Sequence, residues 1–341
     1  MSAEHLLLTV VEVVQETADA HSVVFRTPPG VTYRPGQFLT LRVPQPGGFL
    51  ARCYSLSSAP GVEDTLKVTV KRVPQGRGSN WVCDTVEAGQ QIEALTPAGL
   101  FTPADLDVDL LLLAAGSGIT PVMSILKAAL AGGTGRVLLV YANRDEASVI
   151  FAAELQTLAE RHPERLVVVH WLESVQGRPT PAALRELARP WAHAEAFLCG
   201  PGPFMDCAAA ALTELGVPRD RLHIEHFVSL TGDPWAEAPA PARQPGAAPA
   251  RLVELQVELD GATHDLLWPA DRTLLDVLLE EGLDAPYSCR EGACSACSVE
   301  LVTGEVAMLA NTVLQQADLD EGWRLACQSR PVSDRVTLRY S

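Results

Sequence analysis

Three cysteines lie within nine residues of one another, and a fourth stands far along the chain. Cys289, Cys294 and Cys297 follow the pattern C-x4-C-x2-C, and Cys327 comes after 29 intervening residues. This spacing of thiolate ligands is typical of a [2Fe–2S] cluster. The residues between the three close cysteines are small or flexible, so we expect backbone N–H groups to reach the sulfur atoms and moderate their charge.

A structural zinc site is the alternative for these four cysteines. Zinc sites usually draw on two close pairs of ligands, whereas the fourth cysteine here stands alone, which favours iron–sulfur. The chain has eight cysteines and no recognisable secretion signal, so thiols or metal ligands are favoured over disulfides. Cys53, Cys83 and Cys207 have no ligand spacing and are predicted to be packing residues.

A glycine-rich turn is suited to binding phosphate. The apolar strand LLLLAAG runs into GSGITPVMSIL, which puts Gly116 and Gly118 in a tight turn and Thr120 and Pro121 at a helix start. A helix N-terminus of this kind accepts a pyrophosphate. The third glycine of the Rossmann fingerprint is absent, and no acidic residue ends the VLLVYA strand, so a standard Rossmann site fits poorly and a purely structural turn stays open.

The segment GRGSNWV is a second candidate for a phosphate site. It carries Gly78 and Ser79 before a predicted helix, where backbone amides can receive a phosphate. A capped surface helix without a ligand would have the same sequence.

The order of sequence patterns predicts several domains, as the length of 341 residues also does. Short strand-like runs broken by Gly and Pro predict an antiparallel β-barrel over residues 1–105. Apolar strands alternating with helical segments predict an α/β domain with a parallel sheet over 106–228. Residues 229–250, rich in Pro, Ala and Gly, are predicted to be a semi-extended linker, and 251–341 a small α+β domain.

Charge and hydropathy exclude some partners. The formal charge of −16 argues against nucleic acid. Residues 251–341 hold 16 Asp and Glu against 7 Lys and Arg, which favours a basic protein partner. The apolar stretch LLLLAA is too short to span a bilayer, so we expect a cytoplasmic protein without membrane contact.

Three further motifs carry a family resemblance. RCYS (Arg52 to Ser55), CGPGPFM (Cys199 to Met205) and EHF (Glu225 to Phe227) occur together with GSGITP in the order found in ferredoxin–NADP reductase-type flavoproteins. With the C-terminal cysteines, the chain resembles the reductase components of bacterial multicomponent oxygenases, nearest those of 3-ketosteroid 9α-hydroxylase and phenylacetyl-CoA epoxidase. The resemblance covers all residues except the linker and implies a β-grasp ferredoxin domain at the C-terminus.

The resemblance implies an FAD site in the barrel, with FAD favoured over FMN on this ground alone. Arg52 would pair with a flavin phosphate, Tyr54 would lie against the isoalloxazine, and Ser55 would hydrogen-bond near its reactive N5. Gly78 and Ser79 would receive a phosphate of the same cofactor.

The resemblance also implies a nicotinamide site at the carboxyl edge of the parallel sheet. Cys199 would lie beside the nicotinamide, and Gly200 would admit the dinucleotide closely. Glu225 would orient the nicotinamide or relay protons, and Phe227 would cover the flavin or the adenine.

The choice between NADH and NADPH depends on the segment NRDEAS. Arg144 could bind a 2′-phosphate, but Asp145 and Glu146 would repel it, and no second basic residue follows in SVIFAAE. NADH is therefore favoured over NADPH.

Together these features predict an NAD(P)H-dependent oxidoreductase. Hydride would pass to the flavin, and single electrons would pass through the [2Fe–2S] cluster to an oxygenase component. Two alternatives stay open: the same electron chain serving a different Rieske or di-iron oxygenase, and a non-catalytic iron–sulfur carrier that lacks flavin.

Overall fold

The structure, a computed structural model, describes residues 5–235 and 251–340. The chain divides into two compact units, of which one comprises Leu6–Val43 and Cys53–Phe227 and the other includes Pro44–Arg52 and the chain from Val228. Most of the predicted linker, residues 236–250, lies outside the described residues. Within the described ranges, no helix has both the length and the apolar character needed to span a membrane.

The N-terminal part of the chain forms an antiparallel sheet of six strands with one helix. These elements are β1 (His5–Thr17), β2 (Ala20–Arg26), β3 (Phe38–Gln45), β4 (Gly48–Ser55), β5 (Thr65–Lys71), α1 (Arg77–Thr85) and β6 (Gln91–Leu95). The strands follow the order β4-β3-β6-β1-β2-β5. An isolated bridge between Leu56, just after β4, and Val68 on β5 joins the two edges and closes the sheet into a barrel.

Alternating side chains fill the barrel. In β5, Leu66, Val68 and Val70 are buried at every second position, as expected for a strand with one face in a core. The hydroxyls of Ser22 on β2 and Thr69 on β5 share a buried hydrogen bond of 2.7 Å, so this polar pair is satisfied inside the sheet.

The central part of the chain is a parallel sheet with helices on both faces. Its elements are β7 (Leu110–Ala115), α2 (Ile119–Gly132), β8 (Val137–Asn143), α3 (Ala152–Arg161), β9 (Leu166–Leu172), α4 (Glu173–Gln176), α5 (Pro181–Ala188), β10 (Glu195–Cys199), α6 (Gly202–Glu214) and β11 (Leu222–Glu225). The strand order is β11-β10-β7-β8-β9. Helices α2 and α3 pack on one face and α5 and α6 on the other, which explains why β7 and β8 are buried throughout.

The C-terminal part is an α+β domain. Its elements are β12 (Leu252–Leu259), β13 (Ala262–Pro269), α7 (Leu274–Glu280), β14 (Ser298–Thr303), β15 (Val306–Met308), α8 (Gln316–Asp320), β16 (Trp323–Leu325), β17 (Ser329–Pro331) and β18 (Arg335–Arg339). Five strands form one sheet in the order β13-β12-β18-β14-β16, while β15 and β17 pair separately. Helix α7 shares a core with this sheet, and Trp268 is fully buried there.

The predicted fold class is confirmed in all three parts, whereas the predicted domain boundaries stay a prediction. One local prediction is wrong: Gly78 and Ser79 do not precede the helix but lie in its first turn, since α1 begins at Arg77. The hydroxyl of Ser79 accepts a hydrogen bond from the N–H of Val73 at 3.1 Å and so ties the first turn of α1 to the preceding loop.

Candidate functional site

The loop that carries the three close cysteines is wound through left-handed backbone conformations. Arg290, Gly292 and Ser295 have φ angles of 57°, 76° and 54°. A Cβ atom on Gly292 would lie only 2.7 Å from the carbonyl oxygen of Ala310, so this position requires glycine. Side chains in this φ region cost free energy and persist where the surroundings hold them, which is typical of functional loops.

This winding directs backbone N–H groups at sulfur. The N–H groups of Glu291 and Ala293 donate to Sγ of Cys289 at 3.4 and 3.3 Å. The N–H of Cys289 in turn donates to Sγ of Cys294 at 3.3 Å. The contacts expected from the small loop residues are therefore present, and they stabilise negative charge on sulfur.

All four cysteines are buried and interact with one another. Hydrogen bonds from the thiols of Cys294 and Cys327 lower the pKa of Cys289 to about 2. Hydrogen bonds to Cys289 and Cys297 raise the pKa of the Cys327 thiol. Among the described residues, no three His, Cys, Asp or Glu side chains are arranged around a single metal ion. The four buried cysteines, with this spacing, fit the thiolate ligands of a [2Fe–2S] cluster.

Adjacent strands bring the nucleotide motifs to one edge of the parallel sheet. Cys199 at the end of β10 lies opposite Ala114 on β7 and opposite Glu225 on β11. Because the carboxyl ends of parallel strands meet at one edge, the thiol, the carboxyl and the turn that follows β7 lie side by side.

The two glycine turns at this edge pack against each other. Gly116 has a left-handed φ of 54°, and its carbonyl oxygen accepts a hydrogen bond from the hydroxyl of Tyr141 at 3.0 Å. A Cβ atom on Gly118 would lie 2.2 Å from the carbonyl oxygen of Cys199, and one on Gly200 would lie 3.0 Å from Ala115. Close packing therefore explains why positions 118 and 200 are glycine, which the sequence did not reveal.

Thr120 lies in the first turn of α2, which begins at Ile119. Its side chain is buried, and its hydroxyl donates to the carbonyl oxygen of Ser117 at 3.1 Å. The hydroxyl therefore fixes the turn that precedes the helix.

Burial controls the protonation of the thiol and the carboxyl at this edge. Burial, and next to it the charge of Glu225, raises the pKa of Cys199 well above its usual value, so Cys199 is a neutral thiol. Burial also raises the pKa of Glu225 from 4.5 to about 8. Although Glu225 is only half-buried by accessible surface, this raised pKa favours its protonated form near neutral pH.

This raised pKa makes stability pH-dependent. Between about pH 4.5 and 8 the folded protein holds the proton on Glu225 while the unfolded chain has released it, so the stability supplied by Glu225 falls as pH rises. A Glu225→Gln variant stays neutral and should gain stability relative to the original protein between pH 5 and 8, by at most about 1.4 kcal/mol per pH unit. Urea unfolding at both pH values measures this, and an equal difference at the two would contradict the raised pKa.

The RCYS motif lies on β4. Nη1 of Arg52 donates to the carbonyl oxygens of Ala51 and Leu230, at 2.6 and 2.9 Å. Tyr54 is half-buried and Ser55 is buried. Phe227 is 51% exposed, so it is not a core aromatic, which is the usual place for such a residue.

Helix α1 begins without a side-chain cap among the described residues. Its N-cap residue is Gly76. The N–H groups of its first turn, which include those of Gly78 and Ser79, are therefore suited to an anion.

Arg144 lies near charged side chains that its local sequence does not indicate. Its guanidinium pairs with the carboxylate of Asp19 at 3.2 Å, and Lys71 lies 3.8 Å from the same carboxylate. Lys71 is a second basic residue, which the segment after Arg144 did not contain. Asp145 accepts a hydrogen bond from the N–H of Ser148 at 2.9 Å and caps a short 3-10 helix.

Two further residues were missed by the sequence analysis. Asn143, at the end of β8, is 5% exposed and lies within reach of the Tyr141 hydroxyl, but its amide makes no hydrogen bond of good geometry within the described residues. A buried amide of this kind at the carboxyl edge is suited to meet a nucleotide. Lys127 on α2 is also buried and pairs with Glu63 and with Glu154, the latter at 3.2 Å. No periodicity or motif marks either residue.

Three parts of the chain match known protein families. Residues 7–102 match an oxidoreductase FAD-binding domain, 112–210 an oxidoreductase NAD-binding domain, and 257–332 a 2Fe-2S iron-sulfur cluster binding domain. The chain is therefore an NAD(P)H-dependent flavin and iron–sulfur oxidoreductase with FAD, NAD(P)H and a [2Fe–2S] cluster as cofactors.

Similar proteins place the chain in a narrower family. It is 56% identical over 98% of its length to the 3-ketosteroid-9-alpha-monooxygenase ferredoxin reductase component of Mycolicibacterium smegmatis, with 97% of that protein covered. It is 32% identical, over 98% of its length and 97% of the relative, to one of the subunits of the 1,2-phenylacetyl-CoA epoxidase of Escherichia coli. The chain belongs to the family of reductase components of multicomponent oxygenases, which confirms the resemblance and the predicted class of function.

Solved structures agree on the fold. Phthalate dioxygenase reductase, a modular structure for electron transfer from pyridine nucleotides to [2Fe–2S], is 24% identical with a TM-score of 0.56 and 98% of both chains covered. Full-length CYP116B46 from Tepidiphilus thermophilus is 28% identical with a TM-score of 0.66. That match covers 98% of this chain but only 42% of the longer protein.

Proposed function

We propose that this chain passes electrons from NADH to the oxygenase component of a 3-ketosteroid 9α-hydroxylase. When bound, FAD would accept the hydride of NADH and the cluster would carry electrons one at a time, so each NADH would yield NAD⁺, one proton and two electrons. The observation that carries the proposal is the 56% identity to a reductase component with that role, because it extends over 98% of the chain and so includes both sites.

The cluster ligands in this proposal are the four cysteines. Cys289, Cys294, Cys297 and Cys327 are buried, and Cys289 and Cys327 make hydrogen bonds with the other cysteines of the set. Thiolates with N–H donors directed at them are the ligand set that a [2Fe–2S] cluster needs.

The FAD-binding residues in this proposal lie on β4 and α1. Arg52 would meet the phosphate, while Tyr54 and Ser55 would contact the ring system. The first-turn N–H groups of Gly78 and Ser79 would bind a phosphate oxygen, as the uncapped start of α1 allows.

The nicotinamide would bind at the shared edge of β7, β10 and β11. The glycines of the two turns would let the dinucleotide approach the backbone, with Asn143 as an added polar contact. Cys199, whose pKa is raised, would supply a neutral, compact surface for the ring, and Glu225, whose pKa is raised to about 8, would supply a protonated carboxyl beside it. Phe227, half exposed, would cover an aromatic face of the cofactor. The remaining residues of the proposed dinucleotide site are Gly116, Gly118, Thr120, Arg144 and Gly200.

NADH is the proposed donor because Asp145 places a carboxylate next to Arg144. Replacing Asp145 by asparagine removes the charge but keeps an oxygen that can accept the bond from Ser148, so the 3-10 helix stays capped. We expect the ratio of NADPH to NADH use, measured as kcat/KM, to rise severalfold because repulsion of a 2′-phosphate is removed.

A matched control is Glu164→Gln, because Glu164 is exposed and lies before β9, at the opposite end of the sheet. The control should leave the ratio unchanged. An unchanged ratio in Asp145→Asn would contradict the role of Asp145.

The proposed function is tested in two steps with the purified protein. Anaerobic titration with NADH and with NADPH should bleach flavin and cluster absorption together, with NADH effective at the lower concentration. The reduced protein should then support steroid hydroxylation by a 3-ketosteroid hydroxylase oxygenase component. Support of a phenylacetyl-CoA epoxidase and not of the steroid enzyme would favour the second candidate, which rests on the 32% identity.

We also propose a cytoplasmic location without membrane contact. The support is chemical: NADH is the donor, and four thiolates must stay reduced to hold the cluster. Fractionation of cells that express the protein tests this, and recovery with membranes would contradict it.

A further inference from the structure

Glu291 connects a cluster cysteine with a distant part of the chain. Its backbone N–H donates to Sγ of Cys289. Its carboxylate accepts hydrogen bonds from Thr231 and Gly232, which lie 60 and 59 residues earlier. The N–H and the hydroxyl of Thr231 donate at 2.9 and 2.6 Å, and the N–H of Gly232 donates at 3.1 Å.

The segment bound by Glu291 is also held from its other side. Leu230 is 3% exposed, and its carbonyl oxygen accepts the hydrogen bond from Nη1 of Arg52 at 2.9 Å. A continuous series of contacts thus runs from Arg52 through residues 230–232 to Glu291 and Cys289. All these residues belong to one compact unit of the chain.

The backbone around Glu291 fixes the direction of its side chain. Arg290 and Gly292 on either side have left-handed φ angles of 57° and 76°. Hydrogen bonds to an ionised acceptor are shorter and stronger than neutral ones, and here one carboxylate satisfies three donors. Glu291 is also the only acidic residue in a loop of otherwise small or basic side chains.

We propose that Glu291 is a positioning residue that docks the cluster-binding loop on residues 230–232, beside Arg52. The contact would set the distance over which each electron passes to the cluster. The number of electrons transferred per NADH would not change. This inference rests on the proposed roles of Arg52 at the FAD and of Cys289 at the cluster.

The test compares Glu291→Gln with Glu281→Gln in the holoprotein. Glu281 is exposed in the same domain, at the end of α7, so the control has the same change of charge. Hydrogen exchange at the amides of Thr231 and Gly232 should become about tenfold faster in Glu291→Gln, the effect of losing one hydrogen bond, and stay unchanged in the control.

Anaerobic stopped-flow with NADH provides the second measurement. In Glu291→Gln the flavin absorption should bleach at the original rate, while cluster reduction should slow severalfold at unchanged cluster content and midpoint potential. A purely structural role would alter cluster content and not this rate. Glu291→Asp, which keeps the carboxylate on a shorter side chain, should recover part of the rate.

Two results would overturn the inference. Unchanged exchange at Thr231 and Gly232 would show that the contact is absent in solution. Faster exchange with cluster reduction at the original rate would show that the contact does not position the cluster.

If Glu291→Gln failed to hold its cluster, Thr231→Val, which removes only the hydroxyl donor, would be judged by the same two results. Failure of the original protein to be reduced by NADH would instead overturn the proposed function, and the exchange measurement would still decide the contact.

Discussion

A Cys294→Ser variant is expected to lose the visible absorption of the cluster and all electron transfer to an oxygenase component, while NADH still reduces the FAD. The reason is that a hydroxyl replaces one of the four proposed thiolate ligands, and iron–sulfur clusters depend on soft thiolate ligands. Cys294 also accepts the N–H of Cys289, so its loss disturbs a second proposed ligand. Absorption spectra, iron content and single-turnover reduction measure the three effects.

Cys207→Ser is the matched control for this variant. Cys207 is half-buried on α6, and its thiol donates to the carbonyl oxygen of Pro179, a bond that a serine hydroxyl can keep. The control should hold its cluster and transfer electrons normally. Reduction of a one-electron protein acceptor by Cys294→Ser at the original rate would contradict the proposed electron path.

The second large effect concerns the affinity for the oxidised nucleotide. NAD⁺ should bind severalfold more tightly at pH 9 than at pH 7, and Glu225→Gln should abolish this difference. Glu225 ionises near pH 8, so a negative charge develops beside the positively charged nicotinamide ring as pH rises. Titration of NAD⁺ by isothermal calorimetry at the two pH values measures the effect.

Two variants of Glu225 are expected to differ in the rate of hydride transfer. At pH 7 glutamine resembles the protonated carboxyl, so Glu225→Gln should keep most of the rate of flavin reduction. Glu225→Ala, which removes the polar group, should lose about 10²-fold. Equal rates in the two variants, or a pH effect on NAD⁺ that survives in Glu225→Gln, would remove Glu225 from the nicotinamide site.

The sequence predicted best what local spacing determines. The cysteine pattern identified the cluster, and alternating or continuous apolar runs identified the barrel and the parallel sheet, because period and burial are linked. The motif around Cys199 was recognised, but its pairing with Glu225 and the raised pKa required the strand register. Ser79 was misplaced by one turn, since a helix boundary depends on a contact with Val73 that the pattern does not encode.

Contacts between distant segments could not be predicted from the sequence. Lys71 approaches Asp19 and Arg144 across the chain, and nothing in the local sequence of Arg144 indicates it. Nothing in the local sequence of Glu291 indicates that its carboxylate binds a segment 60 residues earlier. The linker prediction likewise missed that Leu230 is buried. Such pairings arise from tertiary packing, which a single sequence does not specify locally.

Gly118 lies so close to Cys199 that the backbone there is tightly constrained, whereas the residue proposed to control coenzyme preference is not. A single added carbon at Gly118 would overlap the Cys199 carbonyl, so the backbone that would support the nicotinamide leaves no room for variation. Arg144, with its side chain 67% exposed, lies on a different strand end and is under no such constraint. With the proposed roles of these residues, coenzyme preference would be able to change, by evolution or by engineering, without disturbing the backbone beside the nicotinamide.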